Sequence, residues 1–505
     1  MSGLMRTFSN GAAVPTAEIP DYPLNDFLQG MIDEAGRGWR VLSYFAVKEH
    51  ETILLFAIMG SETKQLIGAM KSSLSGTLPS ISRYLPQVHL FEREIAENFG
   101  VAVEDHPWFK PVRYIHSTNG SADAWGRAAS EPILPCVTDF YRVNGEEIHE
   151  VAVGPVHAGI IEPGHFRFQC HGEIVFHLEI ALGYQHRGIE ALVTGGSEPA
   201  TMHRMETIAG DTTIGHAQAY SMAMEALGGT AASDRGNSLR AVALELERLA
   251  NHTGDLGALA GDVGYLPTMS YCGRIRGDFL NMTAVICGNR FGRGIVRPGG
   301  TAFDLQPKQI AELQRRLSSA ASDLKNAVEL LWHSSSVMAR FEGTGIVTPE
   351  DSTELGLVGV AARAAGLQRD VRSGFPFGAY QRAPWQPQTD SHGDVYARAM
   401  VRWLESQKSI DFVAAELDRL PAGTCRASAG QPRPEMLAVA LTEGWRGEIC
   451  HTAITGNNGN FAAYKIVDPS FHNWTGLALA LRGEQISDFP LCNKSFNLSY
   501  CGFDL

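Results

Sequence analysis

From Ile310 to Leu331 the apolar residues Ile310, Leu313, Leu317, Ala320, Leu324, Ala327 and Leu331 recur at alternating steps of three and four. That spacing places them on one face of an α-helix, which completes a turn every 3.6 residues. Pro307 stands just ahead of the stripe, where a first-turn proline is tolerated. A second stripe, Leu239, Val242, Leu246, Leu249, Leu256 and Leu259, obeys the same rule. Two long apolar faces must bury against each other or against further elements, so the spacing predicts a bundle core. More helix is expected over residues 395–407 and 411–420. The alternating pieces 447–453 and 462–467 predict a small sheet packed on the bundle.

The amino-terminal part reads differently. Residues 41–47 and 52–58 are strand-length runs rich in Val, Ile, Tyr and Phe, separated by the polar turn Lys48-Glu49-His50-Glu51, which predicts a hairpin. A helix is expected over residues 88–99. The Ser/Gly/Ala-rich stretch from His116 to Asp123 has the composition of an exposed linker. The expected architecture is therefore α+β: a small α+β domain at residues 20–115, a linker at 116–144, and a mainly helical domain with small peripheral sheets at 145–505.

Charge and cysteine usage narrow the function. Lys and Arg number 42 against 55 Asp and Glu, a formal net charge of -13 that opposes binding to phosphate backbones, so no nucleic-acid partner is expected. No apolar stretch reaches the roughly 18 residues a membrane span needs, and residues 1–20 carry no secretory signal pattern, so the cytoplasmic side is expected. The eight cysteines are scattered, with no Cys-x-x-Cys, as in a reducing compartment.

Generic catalytic motifs are absent: no Gly-x-Gly-x-x-Gly, no Walker loop, no Gly-x-Ser-x-Gly and no His-Glu-x-x-His. On one strand, alternation would put His171, Glu173 and His177 on a common face, but a solvated strand face produces the same pattern, and no metal is assigned there. The segment from Gly154 to His165 is more informative. His157, Glu162 and His165 lie in a loop punctuated by Gly and Pro, and carboxyl and imidazole groups are those that pass protons near neutral pH.

Several segments together resemble the large subunit of membrane-bound, energy-converting nickel-iron hydrogenases and the homologous 49 kDa-type quinone-site subunit of respiratory complex I. They are Gly154-Pro155-Val156-His157, the run from Leu182 to Glu190, Arg297-Pro298-Gly299-Gly300, Phe341-Glu342-Gly343-Thr344-Gly345, Gly393-Asp394-Val395-Tyr396-Ala397-Arg398, Arg446-Gly447-Glu448 and Asp468-Pro469-Ser470-Phe471. The first domain resembles the 30 kDa-type subunit of complex I through the run from Glu92 to Gly100 and His106-Pro107.

Against the hydrogenase pattern the thiolates are missing. Those enzymes hold nickel and iron with four cysteines, because soft thiolates suit these metals. In this sequence the corresponding positions are Ala209, Thr212, Ser499 and Gly502, with Cys501 one residue out of register. Neither Ala nor Gly can coordinate, so the resemblance implies no working nickel-iron centre. It also implies that Glu162 stands near a proton-relay or quinone-headgroup position, and that Arg187 faces the iron-sulfur cluster of a partner. The position of complex I's quinone tyrosine is Gly210. Glu162, His157, Asp211 and His216 are thus the expected proton-handling residues.

The expected protein is a peripheral subunit on the cytoplasmic face of a membrane-bound redox complex. The resemblance implies a small [4Fe-4S] subunit and integral antiporter-like and proton-channel-like subunits as partners. No tightly bound cofactor is expected in this chain, and a quinone is the candidate acceptor. A non-catalytic scaffold is the alternative, and a true hydrogenase ranks last. An NADH or formate module would sit on another polypeptide.

Overall fold

The computed structural model describes residues 4–50, 52–118, 123–157, 161–196 and 199–505. Strands Arg40–Glu49 and Thr52–Ser61 pair antiparallel as expected, with Phe45 opposite Phe56 and Val47 opposite Leu54. They belong to a four-stranded antiparallel sheet completed by Leu66–Leu74 and, at the far edge, Arg6–Phe8. Helix His89–Phe99 lies close to the expected span and ends where Gly100 takes the left-handed conformation (φ 65°) that lets a glycine stop a helix. Between Glu104 and Ile148 the described residues form turns and loops without helix or strand. Residues 119–122 of the expected linker lie outside the described residues.

Next comes a three-stranded antiparallel sheet of Ile148–Val153, His165–His171 and Ile174–Ala181. The chain reverses at Gly172-Glu173, pairing Ile174 with His171. His171, Glu173 and His177 therefore do not share one strand. The Gly at 172 takes φ 56° and makes the reversal, which an alternation argument overlooks. His171 pairs with Glu147 at 2.6 Å, and His177 packs on Tyr141 with ring centroids 4.8 Å apart.

Both apolar stripes form helices, Asp234–Asp262 and Pro307–Trp332, and they bundle with Leu266–Cys287 and Val395–Asp418. Helix Asp234–Asp262 is enclosed on all sides, so that Arg240, Glu245 and Arg248 are as buried as the leucines. The two expected helices at 395–407 and 411–420 are one. No Gly or Pro interrupts Lys408-Ser409-Ile410, and Ser409 Oγ donates to Glu245 Oε2 at 2.5 Å from within the turn.

The carboxyl-terminal sheet runs Phe461–Val467, Glu448–Thr455, Met436–Glu443 and Ala12–Pro15. Its third strand is buried along its whole length, and the unbroken apolar stretch from Met436 to Leu441 has no period to detect. The fourth is an amino-terminal segment, with Leu437 opposite Val14. The two halves share one core: Phe91 packs on Phe471 at 5.0 Å, and Arg40 and Glu94 pair with Glu448 and Lys465 at 2.7 and 2.6 Å. Among the described residues no helix is long and apolar enough to cross a membrane.

Candidate functional site

The loop Ala209–Thr212, the turn Ser499–Gly502 and the start of helix Pro469–Ala480 converge. Asp211 meets Arg446 in a two-pronged ion pair, Oδ1 to Nη1 at 2.7 Å and Oδ2 to Nη2 at 2.8 Å. Planar guanidinium and carboxylate match in this way because their donors and acceptors are equally spaced. Arg446 also donates to the Asn497 carbonyl and lies over the Trp445 ring at 3.9 Å. Burial pushes the Asp211 carboxyl up, but the charge and hydrogen bonds of Arg446 outweigh it and hold the group below its ordinary value.

Behind this pair runs a buried row of polar groups. Asp468 Oδ2 lies 3.1 Å from His216 Nε2, His216 Nδ1 lies 3.1 Å from His451 Nε2, and His451 Nδ1 lies 2.9 Å from the Tyr464 hydroxyl. Asp468 caps its helix as well, Oδ1 accepting from Ser470 N at 2.8 Å. Its carboxyl is raised by burial and then drawn below its ordinary value by His216 and Arg446. Burial, then the neighbouring His216, keeps His451 neutral by lowering its pKa far below the usual imidazole range.

Ala209, Thr212, Ser499 and Gly502 are all engaged in internal packing. Ala209 is buried. Thr212 Oγ1 donates to Asp211 Oδ1 at 3.1 Å, and Ser499 Oγ accepts from Gly502 N at 2.9 Å. A Cβ on Gly502 would stand 2.7 Å from Asp468 Cγ and Oδ2, closer than real contacts allow. The Asp468 carboxylate thus fills the volume a side chain at 502 would enter. Among the described residues no group of three or more His, Cys, Asp or Glu is disposed to hold a metal ion.

Glu162 reaches this turn from the loop after strand Ile148–Val153. Its Oε2 accepts from Tyr500 N at 3.4 Å, and its carboxylate takes a hydrogen bond from the Cys501 thiol. Burial, followed by the charge of Glu162, pushes that thiol up to about 11, so it is a protonated donor. Glu162, Asp211 and His216 are therefore gathered round one turn. His157 is not: its Nε2 lies 2.9 Å from the Gly164 carbonyl and its ring packs on Phe166, fastening the loop. Residues 158–160 of that loop lie outside the described residues. Arg187 is exposed at the rim, donating to the carbonyls of Thr207, Ile208 and Cys501 at 2.7, 2.8 and 2.9 Å, and so ties the two loops together.

Sequence reasoning missed Arg446, Asp468 and His451 as site residues, although the first two stand in stretches that carry the resemblance. It also missed Glu247, whose carboxylate accepts from Ile214 N and Gly215 N at 2.7 and 3.2 Å, two of the unpaired donors at the start of helix Thr213–Gly228. Burial pushes Glu247 up to about 8 despite those bonds. A carboxyl on a long helix gives no signal of this kind until the surrounding packing is known.

The chain is an α+β protein that gathers carboxylates and histidines beneath a carboxyl-terminal turn. Residues 262–433 match the family model of the respiratory-chain NADH dehydrogenase 49 Kd subunit, and residues 20–119 that of the 30 Kd subunit. The carbon monoxide-induced hydrogenase of Rhodospirillum rubrum is 31% identical over 350 residues, 69% of this chain and 97% of the relative. Formate hydrogenlyase subunit 5 of Escherichia coli is 27% identical, over 84% of this chain and 76% of its own. NADH-quinone oxidoreductase subunit 4 of Thermus thermophilus is 28% identical, over 68% and 90%. The chain belongs to this family of 49 kDa-type complex I subunits and membrane-bound hydrogenase subunits, with a 30 kDa-type domain ahead of the 49 kDa-type part.

Proposed function

We propose that this chain is a peripheral, cytoplasmic-face subunit of a membrane-bound, ion-translocating redox complex, placed at the acceptor site and working without a nickel-iron centre. The observation that carries this reading is the Asp468 carboxylate standing in the volume beside Gly502. Together with the hydroxyls of Thr212 and Ser499 and the methyl of Ala209, it leaves a hard, oxygen-rich donor set where soft thiolates would be needed, so the residues present do not fit nickel and iron.

A quinone takes two electrons and two protons to become a quinol. In this reading the electrons come from a [4Fe-4S] cluster on a small partner subunit, with Arg187 on the facing rim. Glu162, Asp211 and His216 are the protonatable groups at the acceptor, and antiporter-like and proton-channel-like membrane subunits carry the ions. Asp211 stays ionised through Arg446, so it serves as an anchor for charge, while Glu162, held by the Tyr500 N–H and the protonated Cys501 thiol, is the outer group offered to the acceptor.

A second reading, a coupling scaffold without chemistry, is favoured by the void beside Asp211, Glu247 and Asn251, which measures only about 10 Å³. Metal analysis of the purified complex for Ni and Fe, with reduction of a quinone analogue, separates the readings. Iron without nickel, and quinone reduction lost in Glu162→Gln, is the expected result. Stoichiometric nickel restores a hydrogenase, and iron with no quinone reduction leaves the scaffold.

A further inference from the structure

Away from that turn, where helix His89–Phe99, the loop after it, strand Ile174–Ala181 and helix Pro469–Ala480 meet, lies a cavity of about 390 Å³. Its size is that of a small-molecule site. The walls are largely apolar, with Leu90, Leu178, Leu182, Leu479 and Trp474 among them. Its charges do not cancel. Lys110 is neutralised by Glu179 at 2.6 Å, whereas Arg93, on the cavity wall, has no carboxylate within ion-pair distance among the described residues. Arg93 Nε and one Nη donate to the carbonyls of Lys110 and Pro111 at 2.7 and 2.8 Å, leaving its remaining N–H donors without a protein acceptor among the described residues. Trp474 Nε1 and His177 Nε2, on two further lining residues, are buried and likewise lack a partner there. Arg482 adds a second positive charge at the exposed rim.

A half-buried guanidinium facing apolar walls, beside unsatisfied polar nitrogens, calls for an anion on an apolar body, because desolvating a charge or a donor without a partner is costly. We propose that this cavity binds an amphipathic anion, with a carboxylate or phosphate head on Arg93 and an apolar chain against Leu90, Leu178, Leu182 and Leu479. Burial depresses the Arg93 pKa, and the charges of Tyr114, Glu97 and Glu179 offset this only in part. The inference stands apart from the acceptor-site reading, since none of these residues belongs to that site.

The test titrates the full chain with decanoate, followed by calorimetry, against decanol as the uncharged control. Decanoate is expected to bind at least tenfold more tightly than decanol, with the preference lost in Arg93→Gln and kept in Arg93→Lys. Ala478→Trp, which fills the cavity and spares Arg93, is expected to abolish binding at unchanged Tm. Should Arg93→Gln fail to fold, that variant and the decanol comparison still decide. Equal binding of decanol, or decanoate binding that survives Ala478→Trp, or no decanoate binding up to its solubility limit, overturns the proposal. Displacement of decanoate by phosphatidylglycerol vesicles identifies the source as membrane lipid; decanoate binding that the vesicles leave unchanged identifies a free acid.

Discussion

Asp211 and Arg446, 235 positions apart in the chain, close on each other through two parallel hydrogen bonds of 2.7 and 2.8 Å. Arg446 is buried and Asp211 is its one carboxylate partner within ion-pair distance among the described residues, so removing Asp211 strands a cation. Asp211→Ala is expected to cost about 2 kcal/mol, below the roughly 3–5 kcal/mol of breaking a fully buried pair, because the Asp211 side chain is 35% exposed and partly screened. The pH dependence has a definite sign. With its folded-state pKa depressed, Asp211 contributes stability above its unfolded value near 3.9 that is lost as pH falls through the folded value. Urea midpoints across the acid range should therefore fall less steeply for Asp211→Ala than for the wild type.

Glu247 gives the opposite slope. Its pKa is about 8 in the fold and roughly 4.3 in the unfolded chain, so the folded state holds the proton more tightly between those values. The stability this contributes is complete below about pH 4 and declines as pH rises toward 8. Glu247→Gln keeps an amide oxygen for the Ile214 or Gly215 N–H and removes the titration. Guanidinium chloride midpoints at mildly acidic and mildly alkaline pH should differ less in the variant than in the wild type, and an unchanged difference would show that Glu247 is not the titrating group.

These two residues mark the limit of what the sequence can tell. The stripes through Leu239 and Leu313 were legible because a helix has a fixed period, and the hairpin at residues 41–58 because alternation and a polar turn are local. Strand Met436–Glu443 is buried on both faces and has no period, and Ala12–Pro15 joins it from more than 420 positions away. The polar site is harder still. Asp211 and His216 could be named from their loop, but Arg446 and Asp468 become their partners only through tertiary approach across 235 and 252 positions. Glu162, on a loop between two strands, was legible as a protonatable group, whereas its neighbour Cys501 was read only as a ligand out of register.

At Gly502 the crowding is directly testable. An added methyl would meet Asp468 at 2.7 Å, so Gly502→Ala should cost about 1–3 kcal/mol, the usual range for forcing volume into a packed interior. Asp468→Ala alone also destabilises, through loss of the helix cap and of the His216 contact. The informative quantity is the coupling. The double variant should be more stable than the sum of the two single losses, because removing the carboxylate vacates the space the methyl needs. Strict additivity in thermal unfolding would mean that Asp468 does not occupy that space.

The row Asp468, His216, His451 and Tyr464 constrains the tautomer of His451. Asp468 is ionised and can only accept, so His216 Nε2 carries a hydrogen and donates to it. A neutral His451 has one donor and one acceptor nitrogen. When His216 Nδ1 is bare, His451 Nε2–H donates to it and His451 Nδ1 accepts from the Tyr464 hydroxyl. Nitrogen-15 NMR of the His451 ring should therefore show a neutral ring with its hydrogen on Nε2, and a hydrogen on Nδ1 or a doubly protonated ring would contradict this arrangement. In Tyr464→Phe the Nδ1 end has no partner, so the protein should lose about 1–3 kcal/mol, the cost of an unsatisfied buried polar group.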